Sequence, residues 1–389
     1  MMRASVVLLL LMASGATVRA QIVRGRVVDQ ATGGALPGAH VILVDSAGHD
    51  GTSVLTTEDG RFAMRAPEGG KYAVRVQRIG YGSTRSDLFT LGAEETIEQQ
   101  IAATSVSVRL DVITVNERAR CAVGETEGTD VATVWEEVRK ALSAATLTRS
   151  QQLVSYTLHH FERDLDPSGR NVKRERSWDN DAFGRNAFSA VKPDFLAEHG
   201  YSKKVDNETF YFAPDADVLL SPAFLQSHCL KLHATTEEGI ELVGLGFAPT
   251  RDDITEVEGA LWVDRHSSEL RRLEFRYTGL PVRSRGPEFG GRVEYQRLPT
   301  GAWIVRDWVI RMPILTVPPR QADAQGYSLT TPYDDRRTKP TLAAVHEEGG
   351  SVLESRSIKG ALLYKSGAAT TAASPAPNAG TPPPAAPPR

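Results

Sequence analysis

The chain has 389 residues, 41% of them hydrophobic; this exceeds one ordinary domain of about 100–200 residues and leaves ample material for packed cores. Lys and Arg total 45 against 48 Asp and Glu, a formal net charge of −3, so the chain carries no electrostatic footprint for nucleic acid.

At the N-terminus, Arg3 precedes the apolar run Val6 to Met12, and Val18-Arg19-Ala20 precedes Gln21. A positive start, a short apolar stretch and small residues at the −3 and −1 positions predict a secretory signal peptide over residues 1–20. The run is shorter than the ~20 residues that span a bilayer, a signal anchor being the alternative. No Cys follows the cleavage point, and no later segment is apolar enough to cross a membrane. The expected destination is the periplasm or the outer-membrane surface, with no transmembrane segment in the mature chain.

From Gly25 to Tyr81, short β-branched runs (Val27-Val28, Val41 to Val44, Tyr72 to Val76) alternate with Gly, Pro and Asp punctuation. That rhythm predicts a small antiparallel β-sandwich. Gly33-Gly34 is a turn before the Leu36-Pro37-Gly38 step that launches the next strand. Asp59-Gly60 is a tight turn that sends Phe62 into the core. Gly70-x-Tyr72-x-Val74-x-Val76 alternates with period two, and Ile79-Gly80-Tyr81 closes the unit. Asp45, Asp50 and Asp59 are candidate Ca²⁺ ligands or turn formers.

These motifs, in this order, resemble the carboxypeptidase regulatory-like domain, a transthyretin-like sandwich also grouped with carbohydrate-binding-like folds. The resemblance covers Ile22 to about Ala103 and sets the first domain at 21–104. It implies an accessory module without peptidase chemistry.

Residues 105–128 form the join. Ser105 to Val115 alternates like one more strand, and Leu110-Asp111-Val112-Ile113-Thr114-Val115 resembles the segment after this module in TonB-dependent outer-membrane receptors. The remainder of the chain lacks the long series of ~10-residue lipid-facing strands of such a receptor barrel. Cys121 and Cys229 are an even pair in an oxidising destination and are read as a disulfide, with free thiols as the alternative.

The second domain, 129–365, opens with Val131, Val134, Trp135, Val138, Ala141, Leu142 and Ala145, spaced as one face of a helix over Asp130 to Thr146. Asp130 is its expected cap, and Glu136 stands four residues before Lys140. Strands are expected at Leu153–Phe161, Thr209–Phe212, Leu230–His233 and Ile240–Phe247. Two hairpins come next: Glu258–Asp264 with Glu269–Tyr277, then Gly291–Arg297 with Ala302–Met312. A last hairpin is expected to turn at Gly349-Gly350 and end near Tyr364. The Leu261-Trp262-Val263-Asp264…Glu269-Leu270-Arg271-Arg272-Leu273 hairpin resembles one in periplasmic lipoprotein-carrier-like domains, which implies a half-barrel wrapped on a helix around an apolar hollow. The fold class is therefore mainly β. Residues 366–389, rich in Ala, Thr and Pro, cannot bury a core and read as an extended, disordered tail.

All five tryptophans lie in the second domain. Trp135, Trp262, Trp303 and Trp308, with Phe275 and Tyr277, are candidates to line a hollow for a lipid or sugar; core packing is the competing reading. Arg271, Arg272, Arg276, Arg292 and Arg297 either meet an anion or pair with Glu258, Glu274 and Glu294 on a solvated face. His159-x-x-Glu162, with His266 as a third ligand, has zinc-peptidase spacing, but residues three apart on a strand face opposite ways. No H-E-x-x-H, G-x-S-x-G or P-loop occurs. His228 and His233 read as core or surface histidines. The expectation is a non-catalytic envelope binding or accessory protein without cofactor or metal, its partner a glycan, a lipid or an envelope protein. The alternatives are a zinc-dependent carboxypeptidase-type hydrolase and a structural assembly partner that pairs through a sheet edge.

Overall fold

The computed structural model describes residues 21–106, 125–183, 188, 190–205, 208–237, 239–282, 288–316 and 340–367. The signal peptide, most of the join including Leu110–Val115 and Cys121, and most of the tail fall outside these residues. Cys229 is half-buried and is not a free thiol.

The first domain is two sheets face to face. In one, β1 (Ile22–Asp29) lies between β4 (Arg61–Arg65) and β8 (Thr96–Ala103). In the other, β2 (His40–Asp45) lies between β3 (Asp50–Leu55) and β5 (Gly70–Gln77); β5 also pairs with β6 (Thr84–Arg85) and β7 (Phe89–Leu91). The sandwich is not wholly antiparallel as expected, because β1 and β8 run parallel. Alternate residues of each strand meet in the middle: Val23, Val27, Val41, Leu43, Val74 and Val76 are buried. Gly60 takes φ of 75° at the Asp59-Gly60 turn, and Phe62 beyond it is 5% exposed, as the turn chemistry requires.

The second domain is one antiparallel sheet of ten strands wrapped on a helix. Helix α1 (Glu125–Ser150) is followed by β9 (Val154–Leu165) and β10 (Val172–Phe183). A cap of short elements comes next: α2 (Pro193–His199), β11 (Ser202–Val205), β12 (Glu208–Tyr211), α3 (Ala216–Leu219) and α4 (Pro222–Ser227). The remaining strands are β13 (His228–Glu237), β14 (Ile240–Pro249), β15 (Glu256–Asp264), β16 (Leu270–Thr278), β17 (Gly290–Arg297), β18 (Trp303–Thr316), β19 (Thr341–Ser357) and β20 (Leu362–Lys365). The order across the sheet is β10-β9-β19-β18-β17-β16-β15-β14-β13, with β20 on β19.

Cross-strand neighbours Leu232, Leu245, Leu261, Leu273, Val293 and Trp308 form one buried row facing the helix. Val134, Val138, Ala141 and Leu142 answer from α1, each no more than 1% exposed. Each fully buried Leu or Val stabilises by about 1.5–3 kcal/mol relative to exposure. Among the described residues no helix is long and apolar enough to cross a membrane.

Several local expectations are corrected. Helix α1 starts five residues before Asp130, so Asp130 lies within it and caps nothing. Glu136 pairs with Arg139 at 2.6 Å, because the buried Glu137 takes Lys140 at 2.6 Å. The strand expected at Thr209–Phe212 is β12, which pairs only with β11, outside the large sheet. β10 has no apolar alternation (VKRERSWDNDAF) and went unforeseen because an edge strand leaves most of its residues to solvent. Gly349-Gly350 is not a turn: both glycines lie in the middle of the 17-residue β19, and the chain turns instead before Gly360, at φ of 82°.

Candidate ligand cleft between the two domains

Phe275, Tyr277, Trp303 and Trp308 meet in the buried cluster under α1, and Trp135 packs against it. Trp262 does not join them. It lies on the other face of the sheet beneath the Arg272 guanidinium, its Nε1 donating to Glu274 at 2.8 Å. Strand alternation separates it from Leu261 and Val263, which face the helix.

Among the described residues, the space beneath the helix is small. Between α1 and the sheet, beside Tyr156, Tyr295 and Trp303, the space left is about 50 Å³, far below the ~300–1,000 Å³ of ligand pockets. The helix and the aromatic side chains fill it.

The arginine face is cross-paired: Arg271 to Asp264 at 2.6 Å, Arg272 to Glu237 at 2.5 Å, Arg276 to Glu258 at 2.5 Å, Arg292 to Glu274 at 3.2 Å and Arg297 to Glu269 at 2.7 Å. His159 meets Asp179 at 2.6 Å while Glu162 meets Arg176 at 2.8 Å from the opposite face of β9. Asp45 holds the amides of Ala47 and His49, Asp50 pairs with Arg75, and Asp59 accepts from Thr57 at 2.5 Å. His228 is a core histidine, its nitrogens 3.1 Å from the carbonyls of Phe224 and Val257, with burial holding its pKa down.

A larger cavity, about 370 Å³, opens where the two domains meet. The sandwich contributes Pro37, Gly38, His40, Gln77 and the Arg78–Tyr81 turn. The second domain contributes Lys140 and Ala144 of α1, Arg297, Trp303 and the His266–Glu269 turn.

Two contacts fix this cleft. Gly38 (φ 67°) and Gly301 (φ 84°) touch backbone to backbone; a Cβ on Gly38 would lie 2.4 Å from the Gly301 Cα. No side chain fits there. The Gly80 amide donates to Glu137 Oε2 at 2.8 Å, and Lys140 Nζ donates to the Tyr81 carbonyl at 2.8 Å. Glu137 and Lys140 are each 5% exposed, so α1 grips the Ile79-Gly80-Tyr81 turn through a buried ion pair. On its other side Tyr81 donates its hydroxyl to Asp29 Oδ2 at 2.9 Å.

The wall is polar and incompletely paired. His40 and Gln77 are cross-strand neighbours on β2 and β5, and both line the cleft. Gln77 is 5% exposed and its Oε1 has no partner; neither ring nitrogen of His40 has one. Buried polar atoms are normally hydrogen-bonded, and each exception costs about 1–3 kcal/mol.

Burial, helped by the charges of Arg139 and Arg75, lowers the His40 pKa to about 4, so the ring is neutral at pH 7. A folded pKa below the unfolded value of 6.5 means the unfolded chain binds the extra proton first. His40 therefore contributes stability that is complete above pH 6.5 and is lost as the pH falls toward about 4. His40→Gln is expected to flatten urea-unfolding stability across that window; an unchanged slope would refute the assignment.

Sequence patterning singled out none of His40, Gln77 and Arg78. The signal available was His40 at the start of the apolar run HVILV and Gln77 at the end of YAVRVQ, just before Arg78 and Ile79-Gly80-Tyr81.

Residues 22–104 match the family model described as the carboxypeptidase regulatory-like domain. No curated protein matches the chain. Among solved structures, the chain is similar to the pilus 2b backbone protein of group B streptococcus, at 17% identity and a TM-score of 0.20, over 22% of this chain and 41% of that one. A protein of Bacteroides uniformis described as carbohydrate-binding aligns at 11% identity and a TM-score of 0.20, over 66% of this chain and 95% of its own. A DUF3823 family protein from the same species aligns at 14% identity and a TM-score of 0.19, over 60% and 91%. The alignment with the streptococcal protein spans less than half of that protein.

Proposed function

We propose that the protein is a non-catalytic binding component of the cell envelope, exported by residues 1–20, that takes a small polar ligand of the carbohydrate class between its two domains. One observation carries this reading: a cleft of about 370 Å³ whose wall carries the polar residues Arg78, Lys140, Ser267, Glu269 and Arg297. A sugar hydroxyl donates and accepts at once. It can accept from the Arg78 guanidinium and donate to the Glu269 carboxylate, both in that wall. The volume falls in the range of small-molecule sites, and the neighbouring side chains supply hydrogen bonds and charge. The lipid reading has no comparable support, since the space under α1 is about 50 Å³.

Thermal unfolding of the full chain against a panel of neutral and acidic mono- and disaccharides tests this. A ligand at a hundred times its Kd is expected to stabilise by about 2.7 kcal/mol. Arg78→Leu, which replaces a donor of the wall with a side chain that cannot pair, is expected to weaken the effect. A panel in which no sugar raises the midpoint would overturn the proposal.

A further inference from the structure

We infer that the free edge of β8 is an assembly surface, on which a second copy of this chain lays its own β8 antiparallel to make one sheet across a two-fold axis.

Strand β8 is an edge of the β4-β1-β8 sheet and pairs with β1, parallel and without a register break from Thr96 to Ala103. Two bonds fix which way its backbone faces: the Ile22 amide donates to the Glu95 carbonyl at 3.0 Å, and the Gln30 amide to the Ala103 carbonyl at 2.9 Å. Residues of that parity point at β1, and a Cβ on Gly25 would accordingly lie 1.8 Å from the Gln99 carbonyl oxygen. The residues between them, Thr96, Glu98, Gln100 and Ala102, therefore aim their N–H and C=O groups out of the sheet. All four are exposed, and among the described residues no protein group bonds to those outward groups.

Proteins commonly blunt such an edge with charges, proline or a bulge. β10, at an edge of the large sheet, carries both a bulge after Val172 and the run Lys173-Arg174-Glu175-Arg176. β8 reads Thr-Ile-Glu-Gln-Gln-Ile-Ala-Ala, and Glu98 is its one charged residue.

That strand complements itself. With the axis at Gln99, Glu98 stands opposite Gln100 of the second copy, Thr96 opposite Ala102, and Ile97 opposite Ile101. Antiparallel ladders bond alternate residue pairs, so every outward N–H and C=O of the four edge residues then has a partner. Each Glu98 carboxylate meets an amide and keeps its own Arg24 at 3.3 Å. Other registers do worse. An axis at Glu98 opposes two carboxylates. An axis at Gln100 sets Thr96 against Thr104, whose carbonyl already accepts from the Gly82 amide at 3.0 Å. A single self-complementary patch is what a closed two-fold dimer requires.

Sedimentation equilibrium of the full chain tests this. Wild type at about 100 µM is expected to be mostly dimer, with a Kd on the order of 10 µM. Gln100→Glu places a carboxylate opposite Glu98 on both sides of the axis; it is expected to weaken the dimer about tenfold in low salt and to recover in ~0.5 M NaCl. Gln100→Lys is expected to tighten it by a similar factor. Gln100→Pro removes an outward N–H that β1 does not use and is expected to give a folded monomer by circular dichroism. A wild type that stays monomeric, which would leave the edge to a strand of another protein, overturns the inference. So does a dimer whose Kd moves the same way, or not at all, in the Glu and Lys variants. Both of those change an exposed side chain, so they decide the matter even if the proline variant does not fold.

Discussion

Replacing Lys140 with alanine is expected to cost about 3–5 kcal/mol, the usual consequence of leaving one member of a buried ion pair without its partner. Glu137 would remain 5% exposed beside the Gly80 amide, and the Tyr81 carbonyl would lose its only charged donor among the described residues. The double change Glu137→Leu with Lys140→Met is expected to cost far less, because well-packed apolar replacements of both partners are often neutral. Urea unfolding of the two variants beside wild type decides this. A Lys140→Ala loss within ~1 kcal/mol, the range of an exposed pair, would show that the pair does not clamp the domains. The same experiment bears on the cleft, since Lys140 is part of its wall.

Gly350→Val is the second large effect expected. A Cβ at this position would lie 2.2 Å from the His159 carbonyl oxygen and 2.7 Å from the Trp308 ring. One of those atoms is backbone, so the cost should reach or exceed the ~1–3 kcal/mol of an overpacked core. Trp308→Ala in the same chain is expected not to rescue it, because the carbonyl of β9 stays in place. Far-ultraviolet circular dichroism during urea titration is the measurement. A variant unfolding at the wild-type midpoint would mean that β19 does not run straight through these glycines.

That second case shows where sequence patterning misleads. Two adjacent glycines in a polar stretch read as a turn, because glycine is the residue that turns most easily. Here they are absences of side chain. Gly350 makes room for Trp308, and a Cβ on Gly349 would stand 2.7 Å from the Phe161 ring. Nothing within Val345–Ser355 announces aromatic rings that arrive from positions far away in the chain. β10 escaped for a related reason: an edge strand with its side chains in water carries no periodicity to read.

The sandwich was legible in the sequence by itself, because its determinants are local. Period-two burial along β4, the Asp59-Gly60 turn and the place of Phe62 each depend on a few consecutive residues. The helix stripe of Val134, Val138 and Leu142, and the Leu261 and Leu273 faces set against it, were legible for the same reason. Trp262 also obeys its strand's alternation, and the error was to count aromatics without counting faces. Only the tertiary structure decided that the space beside Tyr156, Tyr295 and Trp303 under α1 is small, that Lys140 answers Glu137 and not Glu136, and that a cleft lies between the domains. Its wall unites positions 37 to 81 with 140, 266 to 269 and 297 to 303. Whether a polar atom is left without a partner depends on every group packed around it, and most of those groups are distant in the chain.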